Sequence, residues 1–286
     1  MNLTNRLGLP DALVAAVRND PYSAGGSDIT ATTLIDSPRI RELVRRNKDS
    51  ISVDVADRIW ALFGSAVHHI LEQSKTDARV EERLFAEFEG WTLSGQFDRL
   101  IVEDNTLQDW KVTTAYKVQG SHAAWERQLN VLRWLCDYNG IKVDKLQVVA
   151  IIRDWQASRA SADGTYPMAN VAVITLPVWD LAVTEEYIRD RVHAHQDARE
   201  GDLPLCTDEE RWYSGGKFAL IKPGNKRALK VFDTMPEALA ALAESKAPSL
   251  TIEERPGRYV RCENYCEAAP WCEQWQSYLK EQTDAS

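Results

Sequence analysis

Two acidic residues and a lysine lie close together in the first half of the chain, and their chemistry depends on the element that carries them. Asp98 occurs in the segment GQFDRL, and Asp109 and Lys111 occur in LQDWKV. Apolar and polar residues alternate in both segments, which predicts a β-hairpin with its loop at 103–106. In that register Asp98 pairs with Lys111 and Leu100 with Asp109, so both carboxylates and the ammonium group share one face. The alternative is an exposed charge pair without a function.

A histidine and a glutamine occur on the predicted helices before and after this hairpin. The apolar spacing of 53–73 predicts a largely buried helix on which Gly64 and His68 share one side. A glycine inside a helix costs about 1 kcal/mol relative to alanine, so Gly64 indicates that another backbone packs closely there. Gln128 lies beside the apolar stripe of a second predicted helix, 123–138.

Together these side chains suit the hydrolysis of a phosphodiester. The reaction needs a divalent cation that neutralises the phosphate, polarises its oxygen and lowers the pKa of a water. Mg²⁺ and Mn²⁺ prefer carboxylate oxygens, which Asp98 and Asp109 would supply, and His68 would add a nitrogen ligand. Lys111 would orient the water or stabilise the developing charge.

Three cysteines crowd into the segment RCENYCEAAPWCEQW near the end of the chain. They are Cys262, Cys266 and Cys272, with spacings of three and five intervening residues. Thiolates this close in sequence let one loop wrap around a metal, so the triplet predicts a metal site.

In this order the motifs resemble the PD-(D/E)xK nuclease superfamily, specifically the RecB-like branch that includes CRISPR-adaptation nucleases and AddB-type helicase-nuclease subunits. The resemblance extends from about Ile29 to Cys272 and rests on GSAVHHILE, GQFDRL, LQDWKV and the glutamine of QLNVL. It implies a restriction-endonuclease-like core that binds DNA and cleaves it with Mg²⁺ or Mn²⁺.

The resemblance also assigns roles to residues. It makes Lys111 the catalytic lysine and gives the metal ligands as His68, Asp98, Asp109 and the main-chain carbonyl of Trp110. Gln128 matches the glutamine of the family's Q-x-x-x-Y motif, whose tyrosine position holds Leu132 here. Glu82, in VEERL before the hairpin, is expected to be a solvated surface glutamate, with an accessory acid as the alternative.

The RecB-like branch often carries a 4Fe-4S cluster held by three C-terminal cysteines and one near the N-terminus. Here the N-terminal position holds Ser37, and no cysteine precedes Cys136. Cys136 lies on an apolar helix stripe and is expected in the core, whereas Cys206 lies in the loop LPLCTDEERW. The resemblance therefore implies a 4Fe-4S cluster on Cys206, Cys262, Cys266 and Cys272, with Zn²⁺ as the alternative occupant.

The order of the predicted strands and helices indicates an α/β fold with a mixed central sheet flanked by helices, in which 146–153 is a buried strand and 171–176 its neighbour. The expected organisation is a flexible N-terminal arm at 1–28, a nuclease core at 29–200 and a C-terminal module at 201–286. That module contains a basic hairpin, which would either contact the DNA backbone or protect a strand edge, and its basic set is Lys217, Lys222, Lys226, Arg227 and Lys230. The histidines expected at the surface are His122, His193 and His195.

Composition excludes several classes of protein. The 286 residues include 34 Lys plus Arg against 43 Asp plus Glu, and the net charge of −9 argues against DNA binding by bulk electrostatics. The apolar stretches fall short of the roughly 20 residues of a membrane span, and the first residues lack a signal-peptide core. We therefore expect a cytoplasmic protein without membrane contact.

The expected function is that of a metal-dependent deoxyribonuclease, an exonuclease rather than an endonuclease, in recombination, repair or phage DNA processing. DNA is the expected partner, with a recombination protein as a candidate second partner. The alternative is a catalytically silent DNA-binding or assembly module that keeps a structural metal.

Overall fold

The structure is a computed structural model that describes residues 2–19, 24–74, 76–225, 227–245 and 249–284. The strands are β1 (Asn2–Thr4), β2 (Ile29–Thr30), β3 (Ser52–Asp54), β4 (Ala78–Phe88), β5 (Trp91–Ile101), β6 (Thr106–Thr113), β7 (Lys145–Ile152), β8 (Val171–Leu176), β9 (Lys217–Ile221), β10 (Lys230–Phe232) and β11 (Thr251–Arg255).

The α-helices are α1 (Asp11–Arg18), α2 (Ala31–Leu34), α3 (Pro38–Arg46), α4 (Val55–Glu72), α5 (Ala115–Gln119), α6 (Ala123–Tyr138), α7 (Ala157–Ala162), α8 (Leu181–Glu200), α9 (Met235–Glu244), α10 (Val260–Asn264) and α11 (Glu273–Asp284). A 3-10 turn spans Ala269–Trp271. Within the described ranges, no helix combines the length and the apolar content that crossing a membrane requires.

The chain divides into two compact units, Met1–Pro204 and Leu205–Ser286, whereas the sequence placed the boundary after residue 200. The first unit contains a six-stranded sheet in the order β2-β5-β6-β7-β8, with β4 paired to β5 as well. Parallel pairs (β2 with β5, β6 with β7) and antiparallel pairs (β4 with β5, β5 with β6, β7 with β8) occur together. The predicted α/β class with a mixed central sheet is confirmed.

Strand β5 organises this sheet because it pairs along both edges. β4 follows the whole of one edge. The other edge is divided between β2, which pairs at Leu93 and Ser94, and β6, which pairs only at 99–101. From residue 99 towards its N-terminal end, β5 therefore separates from β6 and leaves a fork between the two strands.

The register of the β5–β6 hairpin differs from the predicted one by two residues, because Leu100 lies opposite Leu107 and not opposite Asp109. The turn occupies 102–105, where Asn105 adopts a left-handed φ of 53° that asparagine tolerates. A shift of two keeps every side chain on its predicted face, whereas a shift of one would have reversed them all. Asp98 and Asp109 therefore remain on one face of the hairpin, although the predicted register was wrong by two residues.

Helix α6 packs against the sheet where β5 has no side chain. A Cβ atom added at Gly95 would lie 2.5 Å from Leu132 Cδ2 and 2.7 Å from Leu135 Cδ1, so this glycine is required for the close approach of the helix. Cys136 is fully buried in the same core, as predicted for it from the apolar stripe.

Helix α4 differs from the prediction of a largely buried helix, since Val55 is its one fully buried residue. Trp60 and Ile70 are 56% and 68% exposed. A Cβ at Gly64 would meet nothing within 4 Å, so no backbone packs there. Helix α4 has more apolar residues than its packed side can bury. It contacts α1, β3 and β6 on that side, and its remaining surface faces solvent.

The N-terminal segment, predicted as a flexible arm, carries regular structure in its described part. β1 pairs in parallel with β3, and α1 packs against α4. Asp54 joins these pieces: its carboxylate accepts from Thr4 Oγ1 at 2.8 Å and from the Arg6 backbone N–H at 2.8 Å, and it caps α4. The Gly-rich and Pro-rich composition concealed this long-range pairing. Residues 20–23 lie outside the described part.

Helix α8 buries a histidine that the sequence placed at the surface. His195 is 2% exposed, and its Nε2–H donates to the carbonyl of Leu34 at 3.2 Å. Burial, with Arg191 and Arg41 nearby, lowers the pKa of His195 to about 4. His193 is more exposed and pairs with Glu89. The polar surroundings of His195 in sequence gave no sign that it lies on the packed side of the helix.

The second unit is built on a three-stranded antiparallel sheet in the order β10-β9-β11. The predicted basic hairpin is β9 and β10, and β11 is an additional strand that covers its other side. Lys217 pairs with Asp233, and Glu254 of β11 lies opposite Phe218, so acidic groups accompany the basic ones. Lys226 of the predicted basic set lies outside the described residues.

Candidate metal centre

The candidate site forms at the fork between β5 and β6. Asp98 is the first residue of β5 beyond the paired segment, and it is 8% exposed. The backbone N–H of Trp110 donates to Asp98 Oδ2 at 2.6 Å. This bond fixes the carboxylate of one strand against the backbone of the other.

His68 reaches this point from helix α4. Its Nε2–H donates to the carbonyl of Trp110 at 2.9 Å, and its Nδ1 lies 3.5 Å from Asp98 Oδ1 and 3.6 Å from Glu81 Oε1. The adjacent carboxylate of Asp98, and then that of Glu81, raises the pKa of His68 to about 10. The structure therefore brings together three of the predicted ligand groups: the imidazole, Asp98 and the Trp110 carbonyl.

Glu81 belongs to this site, although the sequence reasoning passed over it and considered only its neighbour Glu82. The antiparallel pairing of β4 places Val80 opposite Arg99 and Glu82 opposite Phe97, so Glu81 lies across from Asp98. Glu81 has a φ of 49°, a strained conformation for a glutamate. Its Oε2 accepts from Gln96 Nε2 at 2.6 Å, whereas its buried Oε1 has no hydrogen-bond partner.

Glu82 is a partly exposed glutamate that forms an ion pair with Arg79 at 2.5 Å, so the structure favours the surface interpretation over the accessory one. Alternation along β4 puts the two glutamates on different faces. The VEERL motif contained the signal, but choosing between its glutamates required the register of β4 against β5.

Asp109 and Lys111 form the second part of the site on β6. Lys111 Nζ lies 2.8 Å from Asp109 Oδ1 and 2.7 Å from Oδ2, and Gln128 Nε2 of α6 donates to Oδ1 at 3.4 Å. Burial raises the pKa of Asp109 above its usual range, Lys111 opposes this effect, and the Asp98 charge adds to it. All four side chains predicted as catalytic therefore lie around the fork.

The residues present fit a divalent cation. His68, Glu81 and Asp98 each offer a ligand atom within 4.8 Å of the others. The buried Glu81 Oε1 accepts no hydrogen bond, with His68 Nδ1 at 3.6 Å, so a bound cation would stabilise it. Carboxylate and carbonyl oxygens are the donors that Mg²⁺ and Mn²⁺ prefer.

Leu132, at the tyrosine position of the Q-x-x-x-Y motif, is a core residue with 3% exposure. It packs over Gly95 and does not reach the surface beside Gln128. Only the glutamine of this motif is therefore available to the site.

The predicted cluster cysteines all lie in the second unit. The backbone of Cys206 is held by Gln274, whose Oε1 accepts from the Cys206 N–H at 2.9 Å and whose Nε2 donates to the Cys206 carbonyl at 2.9 Å. Gln274 follows Cys272 by two residues, so these two hydrogen bonds connect the Cys206 loop to the end of the triplet. Burial raises the pKa of Cys266, and Cys262 and Cys272 add to the shift.

Comparison with known proteins gives little guidance. No protein-family model matches the chain, and no curated protein matches it. The solved structure of SSO0001 is similar over 63% of this chain and 83% of its own, at 16% identity and a TM-score of 0.46. A phage-related exonuclease from Haemophilus somnus 129PT is similar over 68% and 83%, at 14% identity and a TM-score of 0.30.

Proposed function

We propose that this chain is a divalent-metal-dependent DNA nuclease with the core of the RecB-like branch. One observation carries the proposal. Glu81, Asp98 and Asp109, from three adjacent strands, gather around one fork with His68 and Lys111. Burying carboxylates next to one another is unfavourable unless a cation compensates their charge. A site of this kind is suited to an anionic substrate that reacts with the help of a metal ion.

The residues have separate roles in the proposed reaction. His68, Glu81, Asp98 and Asp109 would hold Mg²⁺ or Mn²⁺ together with the main-chain carbonyl of Trp110. When bound, the cation would neutralise the phosphate and lower the pKa of a water molecule. Lys111, held against Asp109, would orient that water or stabilise the charge that develops on the phosphate. Gln128 would keep Asp109 in position from α6.

We propose end-directed cleavage rather than cutting at internal sites, on the ground of the family resemblance. The test compares linear DNA with covalently closed circular DNA in Mg²⁺ and in Mn²⁺. We expect linear DNA to be degraded and circular DNA to remain intact. Efficient cleavage of the closed circle would show an endonuclease instead.

Cleavage must also depend on the proposed residues. Lys111→Ala and Asp109→Asn should each lower the rate by on the order of 10²–10⁴-fold while the melting temperature stays close to that of the parent protein. Glu82→Gln, on the other face of β4, is the matched control and should keep activity. A folded parent protein that leaves linear DNA intact in both metals would favour the silent binding module.

The second unit would carry a 4Fe-4S cluster on Cys206, Cys262, Cys266 and Cys272. Four thiolates leave no open position for chemistry, so its role would be structural. The two hydrogen bonds between Gln274 and the backbone of Cys206 hold that loop next to the triplet, which supports Cys206 as the fourth ligand. Zn²⁺ is the alternative occupant, and the metal content of protein purified without oxygen distinguishes the two.

A further inference from the structure

A tryptophan and an arginine form an exposed pair on the first unit that the proposed reaction does not use. The Arg153 guanidinium carbon lies 4.2 Å from the centre of the Trp60 ring, in a cation–π arrangement. Trp60 is 56% exposed even though the guanidinium covers part of it. Phe63 supports the ring edge-on, with the two ring centres 6.3 Å apart.

Arg153 is held close to the strand that bears the catalytic residues. It follows the last residue of β7, and its backbone N–H donates to the carbonyl of Thr113 at the end of β6 at 2.9 Å. Among the described residues no carboxylate forms an ion pair with its exposed side chain. The guanidinium therefore keeps its charge available for an anion from solution.

Trp60 lies on the same helix as His68, two turns away. Each step of four residues turns about 40° around a helix axis, so Trp60, Gly64 and His68 lie on one half of α4, with about 80° between Trp60 and His68. Eight residues correspond to about 12 Å along the helix axis. Between the two side chains, Gly64 has no neighbour within 4 Å of a Cβ position, so no other element packs on α4 at that point.

We propose that Trp60 and Arg153 form a stacking platform for an unpaired base of the DNA strand whose phosphate enters the candidate metal centre. The exposed indole offers a flat apolar surface to the base, and Arg153 offers a cation to the backbone phosphate beside it. Aromatic stacking combined with a basic group is the usual way in which proteins hold single-stranded nucleic acid without reading its sequence. The inference rests on the proposed nuclease function, because it gives that function a single-stranded substrate path.

The platform also resolves a conflict in charge. A protein with a net charge of −9 gains little from general attraction to DNA. Stacking does not depend on net charge, so one exposed ring beside the active site can retain a strand that the surface as a whole repels.

The test measures binding of a short, fluorescein-labelled single-stranded oligonucleotide by anisotropy, in a Lys111→Ala background that prevents cleavage. A series of oligonucleotides carries one abasic site at successive positions. We expect Trp60→Ala to weaken binding about tenfold or more, and one abasic position to weaken the parent by a similar factor. That abasic position should have no further effect on Trp60→Ala. Trp60→Phe should restore part of the affinity, and Arg153→Ala should lower it.

Ile70→Ala is the matched control, because Ile70 is another exposed apolar residue of α4, at 68% against 56% for Trp60, near the other end of the helix. Equal affinities of Trp60→Ala and Ile70→Ala, abasic effects that persist without Trp60, or absence of DNA binding by the parent would each overturn the platform. Trp60-dependent binding by a parent protein that cleaves nothing would instead reject the nuclease and keep the platform. Melting temperatures verify that each variant is folded.

Discussion

At the scale of single residues, adjacent glutamates of β4 have opposite surroundings. Glu81 Oε1 is buried, accepts no hydrogen bond and lies 3.6 Å from His68 Nδ1, whereas Glu82 forms an ion pair with Arg79. A strained backbone at a residue with an unsatisfied buried oxygen is the kind of feature that function preserves. The difference between the two glutamates gives a direct test of which one serves the metal.

We predict that Glu81→Ala lowers the affinity for Mn²⁺ by at least about tenfold, because it removes one ligand from the set around His68. Isothermal titration calorimetry with the metal alone measures this effect without DNA. Glu82→Ala loses only an ion pair with Arg79 and should bind Mn²⁺ like the parent. Equal losses in the two variants would show that Glu81 has no special role.

At the scale of elements, the two glycines on either side of the site have different reasons to be glycine. Gly95 permits the contact between β5 and α6, since Leu132 and Leu135 occupy the space of its missing side chain. Gly64 lies in a helix with open space around it. Gly95 is therefore required for packing, whereas Gly64 only weakens the helix that contains it.

We predict that Gly95→Ala destabilises the protein by about 1–3 kcal/mol, because the buried leucines must shift in a close-packed core. Gly64→Ala should stabilise it by about 0.5–1 kcal/mol through improved helix propensity. Urea denaturation of both variants measures the free energies of unfolding. A loss of stability in Gly64→Ala would indicate a backbone contact that the structure does not contain.

The contact between α8 and α2 makes stability depend on pH. The unfolded chain protonates His195 near pH 6.5, but the folded state keeps it neutral down to about pH 4. The unfolded state therefore binds more protons in this range, and stability falls as the pH is lowered through it. The loss between about pH 7 and pH 5 should be on the order of 2 kcal/mol.

Urea denaturation across this range tests the prediction. His195→Gln should reduce the pH dependence, since the titrating group is gone. His193→Gln, on the same helix but more exposed, should keep the slope of the parent. A slope that remains unchanged in His195→Gln would assign the pH dependence to other groups.

At the scale of the whole molecule, the cysteines are divided between the two units. Cys136 is fully enclosed in the core of the first unit, whereas Cys206 and the triplet belong to the second. A cysteine enclosed among leucines serves as a small apolar residue, and burial raises its pKa to about 12, which disfavours the thiolate that a metal needs.

We predict that Cys206→Ser loses iron and lowers the melting temperature of the second unit, because the proposed cluster loses one of its four ligands, although the backbone hydrogen bonds to Gln274 remain. Cys136→Ser should retain the metal and change only the stability of the first unit. Iron analysis and the visible absorption of both variants are the measurements. Loss of the metal in Cys136→Ser alone would move the fourth ligand to that position.

The sequence by itself determined the features that depend on residue type and on the alternation of apolar and polar residues along the chain. The mixed α/β class, the buried strand β7 and the common face of Asp98 and Asp109 follow from local patterns, because apolar periodicity and strand alternation are properties of neighbours in the chain. The common face survived a register wrong by two residues, since alternation is unchanged by an even shift.

Tertiary structure alone decided the features that depend on which elements meet. Glu81 became a candidate ligand, and Glu82 did not, because β4 pairs with β5 in one particular register. His195 is buried and Trp60 exposed because packing selects one side of each helix, although both sequences allow either side. Gly95 is required and Gly64 is free for the same reason. Contacts between residues distant in sequence are set by the packing of the whole core, and no local pattern contains that information.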